Sequence, residues 1–158
     1  MLTGLCLGMG ALTLMLSGCS QVAQALNIEN PRYSIRDVRP RVDIALPLTA
    51  SSIDFDFILG VDNPNSVGLR LDRVDFDLLV NDQHVLNSTS TQDVQIPGRG
   101  FGEVHLRSRV GYENIRSIFR QVADVINGNR AQYALRGTAY YNTPVGALQF
   151  PVTVSTNR

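Results

Sequence analysis

Phe55, Phe57, Leu59 and Val61 fall on one side of a two-residue repeat, with Asp54 and Asp56 on the other. Side chains alternate across a strand, so this pattern predicts a strand with one face buried and one in water. It ends at Asn63-Pro64-Asn65, a turn, because Asn tolerates left-handed backbone and Pro has no N–H to give a ladder. From Leu69 to Val80 the apolar positions slip from odd (Leu69, Leu71) to even (Val74, Phe76, Leu78, Val80). One extra residue resets the phase, so a bulge is predicted near Asp72-Arg73. Upstream, Tyr33 to Val38 reads as a first strand, followed by an irregular connection through Arg39-Pro40-Arg41 and Leu46-Pro47-Leu48. Asn81-Asp82 makes the next turn. Short strands are expected around His84 to Asn87 and Asp93 to Ile96, then a break at Pro97-Gly98-Arg99-Gly100. Phe101 to Val110 extends again with Val104 and Leu106 inward. Two alternating strands close the chain, one with Tyr133, Leu135, Ala139 and Tyr141, the other with Leu148, Phe150, Val152 and Val154, joined through Asn142-Thr143-Pro144 and Gly146.

One segment changes period. Ile115, Ile118, Phe119, Val122, Val125 and Ile126 make a single stripe at 3.6 residues per turn, with Arg116, Arg120, Gln121 and Asp124 opposite and Gly128 as a left-handed stop. That predicts one helix lying on a core. About seven strands with turns every ten or so residues and one inserted helix give an all-β fold class, an antiparallel β-sandwich.

Before the strands, an uncharged apolar run from Leu2 to Leu16 closes in Ser17-Gly18-Cys19. It is too short to span a bilayer as a helix and suits the apolar region of a cleaved export signal. Small residues before a cysteine resemble the processing site of bacterial lipoproteins, which implies a signal peptide over 1–18 and lipid on Cys19 as the first mature residue. Residues 19–30 then form a tether ending at Asn30-Pro31, and 31–156 form one domain. No Lys or Arg precedes Cys19, whereas export signals open with positive charge, so either the true start lies upstream of Met1 or the chain is trimmed. A multiply acylated cysteine holds firmly, since each buried methylene contributes about 0.8 kcal/mol. By the same resemblance, Ser20 after the cysteine favours the outer membrane. The expected location is the bacterial envelope, lipid-anchored and facing the periplasm.

Processing removes Cys6 and lipid consumes Cys19, which leaves no thiol for a disulfide, a metal site or a nucleophile. Stability must come from the packed core. Fourteen basic residues, all Arg, balance fourteen acids, every charge lies after Cys19, and no basic run forms, which argues against a nucleic-acid partner.

Candidate chemistry is sparse. His84 and His105 stand singly in strand-like segments with no acid at motif spacing, and no serine sits in a nucleophile elbow, so no catalytic residue is assigned. Asp54 with Asp56 and Asp75 with Asp77 form two Asp-x-Asp pairs, but strand residues two apart simply share a face, so they mark solvent sides and not a metal site. Asn87-Ser88-Thr89 fits a glycosylation pattern that a strand end explains as well. The glycine-rich stretch Pro97 to Gly102 lacks the Gly-Lys-Ser/Thr ending and opens no helix, so neither phosphate nor cofactor binding follows.

Taken in order, Pro31-Arg32-Tyr33-Ser34-Ile35, the strand into Asn63-Pro64-Asn65, Leu78-Leu79-Val80-Asn81-Asp82, Ile96-Pro97, the helix, Tyr133-Ala134-Leu135-Arg136-Gly137 and Thr143-Pro144-Val145-Gly146 resemble the water-stress and hypersensitive-response domain of group 2 late-embryogenesis-abundant proteins. The resemblance runs from Pro31 to Ser155, with Asn63, Pro64 and Asn65 as its turn motif. It implies an immunoglobulin/fibronectin III-like sandwich with one helix, no known active site and a link to desiccation; no cofactor is expected. The expected function is a non-catalytic, lipid-anchored envelope protein of water-stress protection, its partners the membrane through Cys19 and a protein or lipid client. The alternative is an envelope binding module for a lipid, a peptide or a partner protein.

Overall fold

The computed structural model describes residues 28–144 and 146–156, so the signal segment, Cys19, Ser20 and most of the tether lie outside the described residues. Seven strands pair antiparallel throughout: β1 (Arg32–Asp43), β2 (Ser52–Asn63), β3 (Leu69–Val80), β4 (Gln83–Ile96), β5 (Gly100–Gly111), β6 (Tyr133–Thr143) and β7 (Gly146–Ser155). They form two sheets, ordered β1-β2-β5 and β4-β3-β6-β7, as the alternation predicts for a sandwich. Phe55, Phe57, Leu59 and Val61 are all buried between the sheets, and Tyr133 of the opposite sheet meets both Phe rings edge-on at 6.2 Å. Burying each such side chain contributes about 1.5–3 kcal/mol, so this interior is what holds the thiol-poor chain together.

The phase slip in β3 is a bulge at Asp72. Leu71 pairs with Tyr141 and Arg73 with Tyr140, so β3 advances two residues while β6 advances one. Asn81 and Asp82, at φ 50° and 63°, make the two-residue hairpin turn whose left-handed pair matches the twist of the flanking strands. Gly137 lets β6 close on β3, because a Cβ there would lie 2.0 Å from the Asp75 carbonyl oxygen.

Three expectations are corrected. The first strand does not stop at Val38 but continues through Pro40 to Asp43, because β1 is an edge strand and a proline there loses no ladder bond it needs. The two short strands after the hairpin turn are one strand, β4, whose inward positions Ser88, Ser90 and Gln92 are only half-buried at the margin of the sandwich. The single helix is two, α1 (Tyr112–Ser117) and α2 (Phe119–Ile126), broken at Ile118 with φ −114° and ψ 19°. They lie on different beds: α1 touches β2, β5 and a 3-10 turn at Leu48–Ala50, whereas α2 touches β1 and β4. Val122 and Val125 are buried, but Phe119 leaves the core.

Candidate functional site

Outside the three-stranded sheet, acids hold the middle strand and arginines its neighbours. Asp54 sits between Arg41 and Arg109, and Asp56 between Arg39 and Arg107, in the strand register. Arg109 grips Asp54 with two bonds, Nε–Oδ1 2.6 Å and Nη2–Oδ2 3.0 Å. Asp56 takes Arg41 Nη2 at 2.7 Å and Arg107 Nε at 3.3 Å. The Arg109 guanidinium holds the Asp54 carboxyl below the usual range, chiefly by this hydrogen bonding, and its own pKa rises in return.

The outer face of the four-stranded sheet repeats the theme with mixed partners. Asp75 accepts from Thr89 Oγ1 at 2.9 Å and lies 3.3 Å from Arg73 Nε, while Asp77 accepts from the Asn87 side chain. Arg73 also stacks on Tyr140, 4.2 Å from the ring centroid. At the sheet edge, Arg70 Nε donates to Asp93 at 2.7 Å, which lowers the Asp93 carboxyl. Both Asp-x-Asp pairs thus occupy solvent sides, and no cluster of three or more His, Cys, Asp or Glu able to hold a metal occurs among the described residues.

The Asn63-Pro64-Asn65 turn does more than reverse the chain. Asn63 is fully buried; its Nδ2 donates to the Val67 and Pro97 carbonyls at 2.9 and 3.0 Å, and its Oδ1 accepts from the Asn65 backbone and side chain. Asn65 in turn clasps the incoming chain: its Oδ1 accepts from Glu29 N at 2.7 Å and its Nδ2 donates to the Glu29 carbonyl at 2.9 Å. Its own carbonyl accepts from Arg99 N at 2.7 Å. Two Asn side chains therefore bind the chain entry, the β2–β3 turn and the β4–β5 turn into one polar knot. Sequence spacing could give the turn but not the clasp, since Glu29 is 36 residues from Asn65.

The opposite end is apolar. Arg32 pairs with Asp62 at the knot end and Asp43 with Ser52 at the far end, eleven residues along the strand, roughly 36 Å. There the connection from Ile44 to Ile53 carries no charge. Leu46 is 92% exposed, Ile44 71% and Leu48 51%, and Phe119 from α2 joins them at 54%. Beside them opens a cleft of about 240 Å³ between this connection and the helices. A hydrophobic reading of the sequence expects such residues to be inside, so this patch went unforeseen.

The histidines stay dispersed. His84 Nε2 lies 3.8 Å from Asp77, both groups about half exposed. His105 shares a shallow hollow with Asp56, whose carboxylate is engaged by Arg41 and Arg107. Asn87-Ser88-Thr89 runs mid-strand in β4, and the Pro97-Gly98-Arg99-Gly100 turn leads into a strand, β5.

Residues 59–156, from the second half of β2 through β7, match the family model described as late embryogenesis abundant protein. The chain belongs to this late-embryogenesis-abundant family. The matched span holds the Asn63-Pro64-Asn65 turn, the Asp72 bulge and both helices. Solved structures agree in fold. The solution structure of AT1g01470 from Arabidopsis thaliana superposes with a TM-score of 0.62 at 18% identity, covering 82% of this chain and 81% of that one. The solution structure of a putative late embryogenesis abundant protein, At2g46140.1, gives 0.53 at 17% identity, covering 89% and 78%. No curated protein matches significantly.

Proposed function

We propose that this late-embryogenesis-abundant domain is a non-catalytic envelope protein, lipid-anchored through Cys19 at the outer membrane, that protects surfaces or proteins during water loss. The carrying observation is the paired ladder on the outer face of the three-stranded sheet, Arg41 and Arg107 on Asp56 and Arg109 on Asp54. In water such exposed pairs contribute little, about 0–1 kcal/mol. As water leaves, the effective dielectric falls; two unit charges 4 Å apart go from about 1 kcal/mol in bulk water to about 4 kcal/mol at an effective dielectric near 20. A surface whose charges already have partners keeps its fold as it dries, and its hydroxyls, amides and guanidinium groups offer polar contacts to neighbours losing their hydration. The family's link to desiccation supports the same reading. The test is survival after drying of a deletion strain complemented with the wild type or with Cys19→Ser. Only the wild type should restore survival, and a deletion strain that survives like its parent removes the reading.

A second reading, an envelope binding module, is favoured by one feature, the exposed apolar end at Ile44, Leu46, Leu48 and Phe119. Contiguous exposed apolar surface of this kind marks interaction sites. Native mass spectrometry of the membrane-extracted chain should find it in complexes; a bare monomer counts against it.

A further inference from the structure

We infer that, independently of the anchor, of drying and of the apolar end, the hollow between Asp75, Asp77 and Arg136 takes a neutral, multiply hydroxylated molecule, a polyol or a small sugar. The strand register builds this site on the outer face of the four-stranded sheet. Asp77 faces Arg136 and Asp75 faces Thr138 across β3 and β6, while Asn87 and Thr89 flank the two acids from β4. Gly137 lets β6 approach β3 more closely than any Cβ would allow, which sets Arg136 and Thr138 beside the acids. Together these side chains border a hollow of about 380 Å³, within the roughly 300–1,000 Å³ of small-molecule sites.

The groups left open decide the ligand. Asp75 accepts from Thr89 and meets Arg73 through Oδ1, and Asp77 meets Asn87 and His84 through Oδ1 as well. Among the described residues, Oδ2 of each carboxylate accepts no bond, and neither Arg136 nor the Thr138 hydroxyl has a side-chain partner, although Arg136 stands opposite Asp77 in the register. The hollow therefore presents two strong acceptors beside a guanidinium and a hydroxyl. Since a hydroxyl both donates and accepts, adjacent hydroxyls of one small molecule satisfy both kinds at once. Charge excludes ions. An anion would meet Asp75 and Asp77 at close quarters, and a cation would meet Arg136 and Arg73. An apolar ligand finds no wall, because Phe76, the one large apolar side chain at the hollow, is turned into the core at 3% exposure. Tyr140 lies outside the hollow with Arg73 stacked on its ring, so aromatic stacking adds nothing. Binding rests on hydrogen bonds made in competition with water, which places it in the millimolar range.

Amide NMR of the full chain, in a detergent without sugar headgroups, tests this with three probes: neutral glucose, cationic glucosamine and anionic glucose 6-phosphate. Glucose should move the amides of Asp75, Asp77, Arg136, Gly137 and Thr138 saturably, and neither charged sugar should bind more tightly. Arg136→Met should weaken glucose binding about tenfold, as the loss of a hydrogen bond from a charged donor does, and Thr138→Val should weaken it less. Arg136 is exposed and without a partner among the described residues, so its replacement leaves the fold intact. Arg130→Met, which removes a cation from the connection between α2 and β6, should leave binding unchanged. Shifts that are absent, or that never saturate and spread over the whole chain, would overturn the inference. Tighter binding of either charged sugar would reassign the hollow to an ion, with the same consequence, and so would an Arg136→Met variant that binds glucose as well as the wild type.

Discussion

The hydroxyls of Tyr33 and Tyr141 meet at 3.1 Å, joining β1 of one sheet to β6 of the other across the sandwich. Burial raises both phenols, Tyr33 to about 12 against the hydrogen bond that works to lower it, and Tyr141 in the same direction. A phenol raised in the folded state gives stability that is complete below its unfolded value near 10 and fades as pH climbs through the folded one. Urea midpoints should therefore hold steady up to about pH 10 and fall between 10 and 12. Replacing both tyrosines with Phe should flatten that fall, leaving the smaller share due to Tyr133, which burial also raises.

The same pair sets a double-mutant cycle. Tyr33→Phe alone leaves the buried Tyr141 hydroxyl without its partner, at about 1–3 kcal/mol. Since the double change removes both polar groups, it should cost clearly less than the sum of the single changes, measured by chemical denaturation. Additive costs would mean that the bond carries no coupling.

Asn63→Ala should be among the most damaging polar substitutions in the chain, about 2 kcal/mol or more, because it strips the Val67 and Pro97 carbonyls and Asn65 of their partner in a fully buried setting. Asn65→Ala should cost less overall but release the chain entry. Hydrogen exchange at the Glu29 amide should accelerate in Asn65→Ala, while the Arg99 amide, held by the main-chain carbonyl of residue 65, and the mid-strand amides of β2 remain protected.

How far the sequence carried the structure depended on where each residue sits. Phe55 to Val61 alternate because β2 is central in its sheet and buried on one face only, and the parity change at Asp72 survives because both neighbours of β3 enforce the register. Edges are quieter. Pro40 and the Ser88–Thr91 run look like breaks, yet edge strands need fewer ladder bonds and bury less, so neither interrupts β1 or β4. The helical stripe was legible as a helix, but not its break at Ile118, which answers to two separate packing beds. Of the candidate surfaces, the acidic faces were visible from their spacing, whereas the clasp on Glu29 and the exposed Leu46 depend on contacts and exposure that no local pattern encodes.

The ladder argument predicts a contrast between wet and dry. Replacing Asp54 and Asp56 with Asn and Arg41, Arg107 and Arg109 with Gln should change solution stability at neutral pH by no more than about 1 kcal/mol per pair. Dried films should separate the two proteins, the wild type keeping its β-sheet infrared signature on dehydration and the neutralised variant losing it. Acid should weaken the wild type selectively: Asp54 is lowered in the folded state, so its contribution is present above the ordinary carboxylate range and fades as pH falls below it. Equal retention of structure in both dried proteins would detach the charge pairs from water-stress protection.

Intact mass of the chain extracted from membranes tests the anchored-domain account most directly. The account predicts a polypeptide beginning at Cys19 and carrying the added mass of a diacylglycerol, with or without a further acyl chain. An unmodified chain that still retains residues 1–18 and is recovered from the cytosol would contradict it.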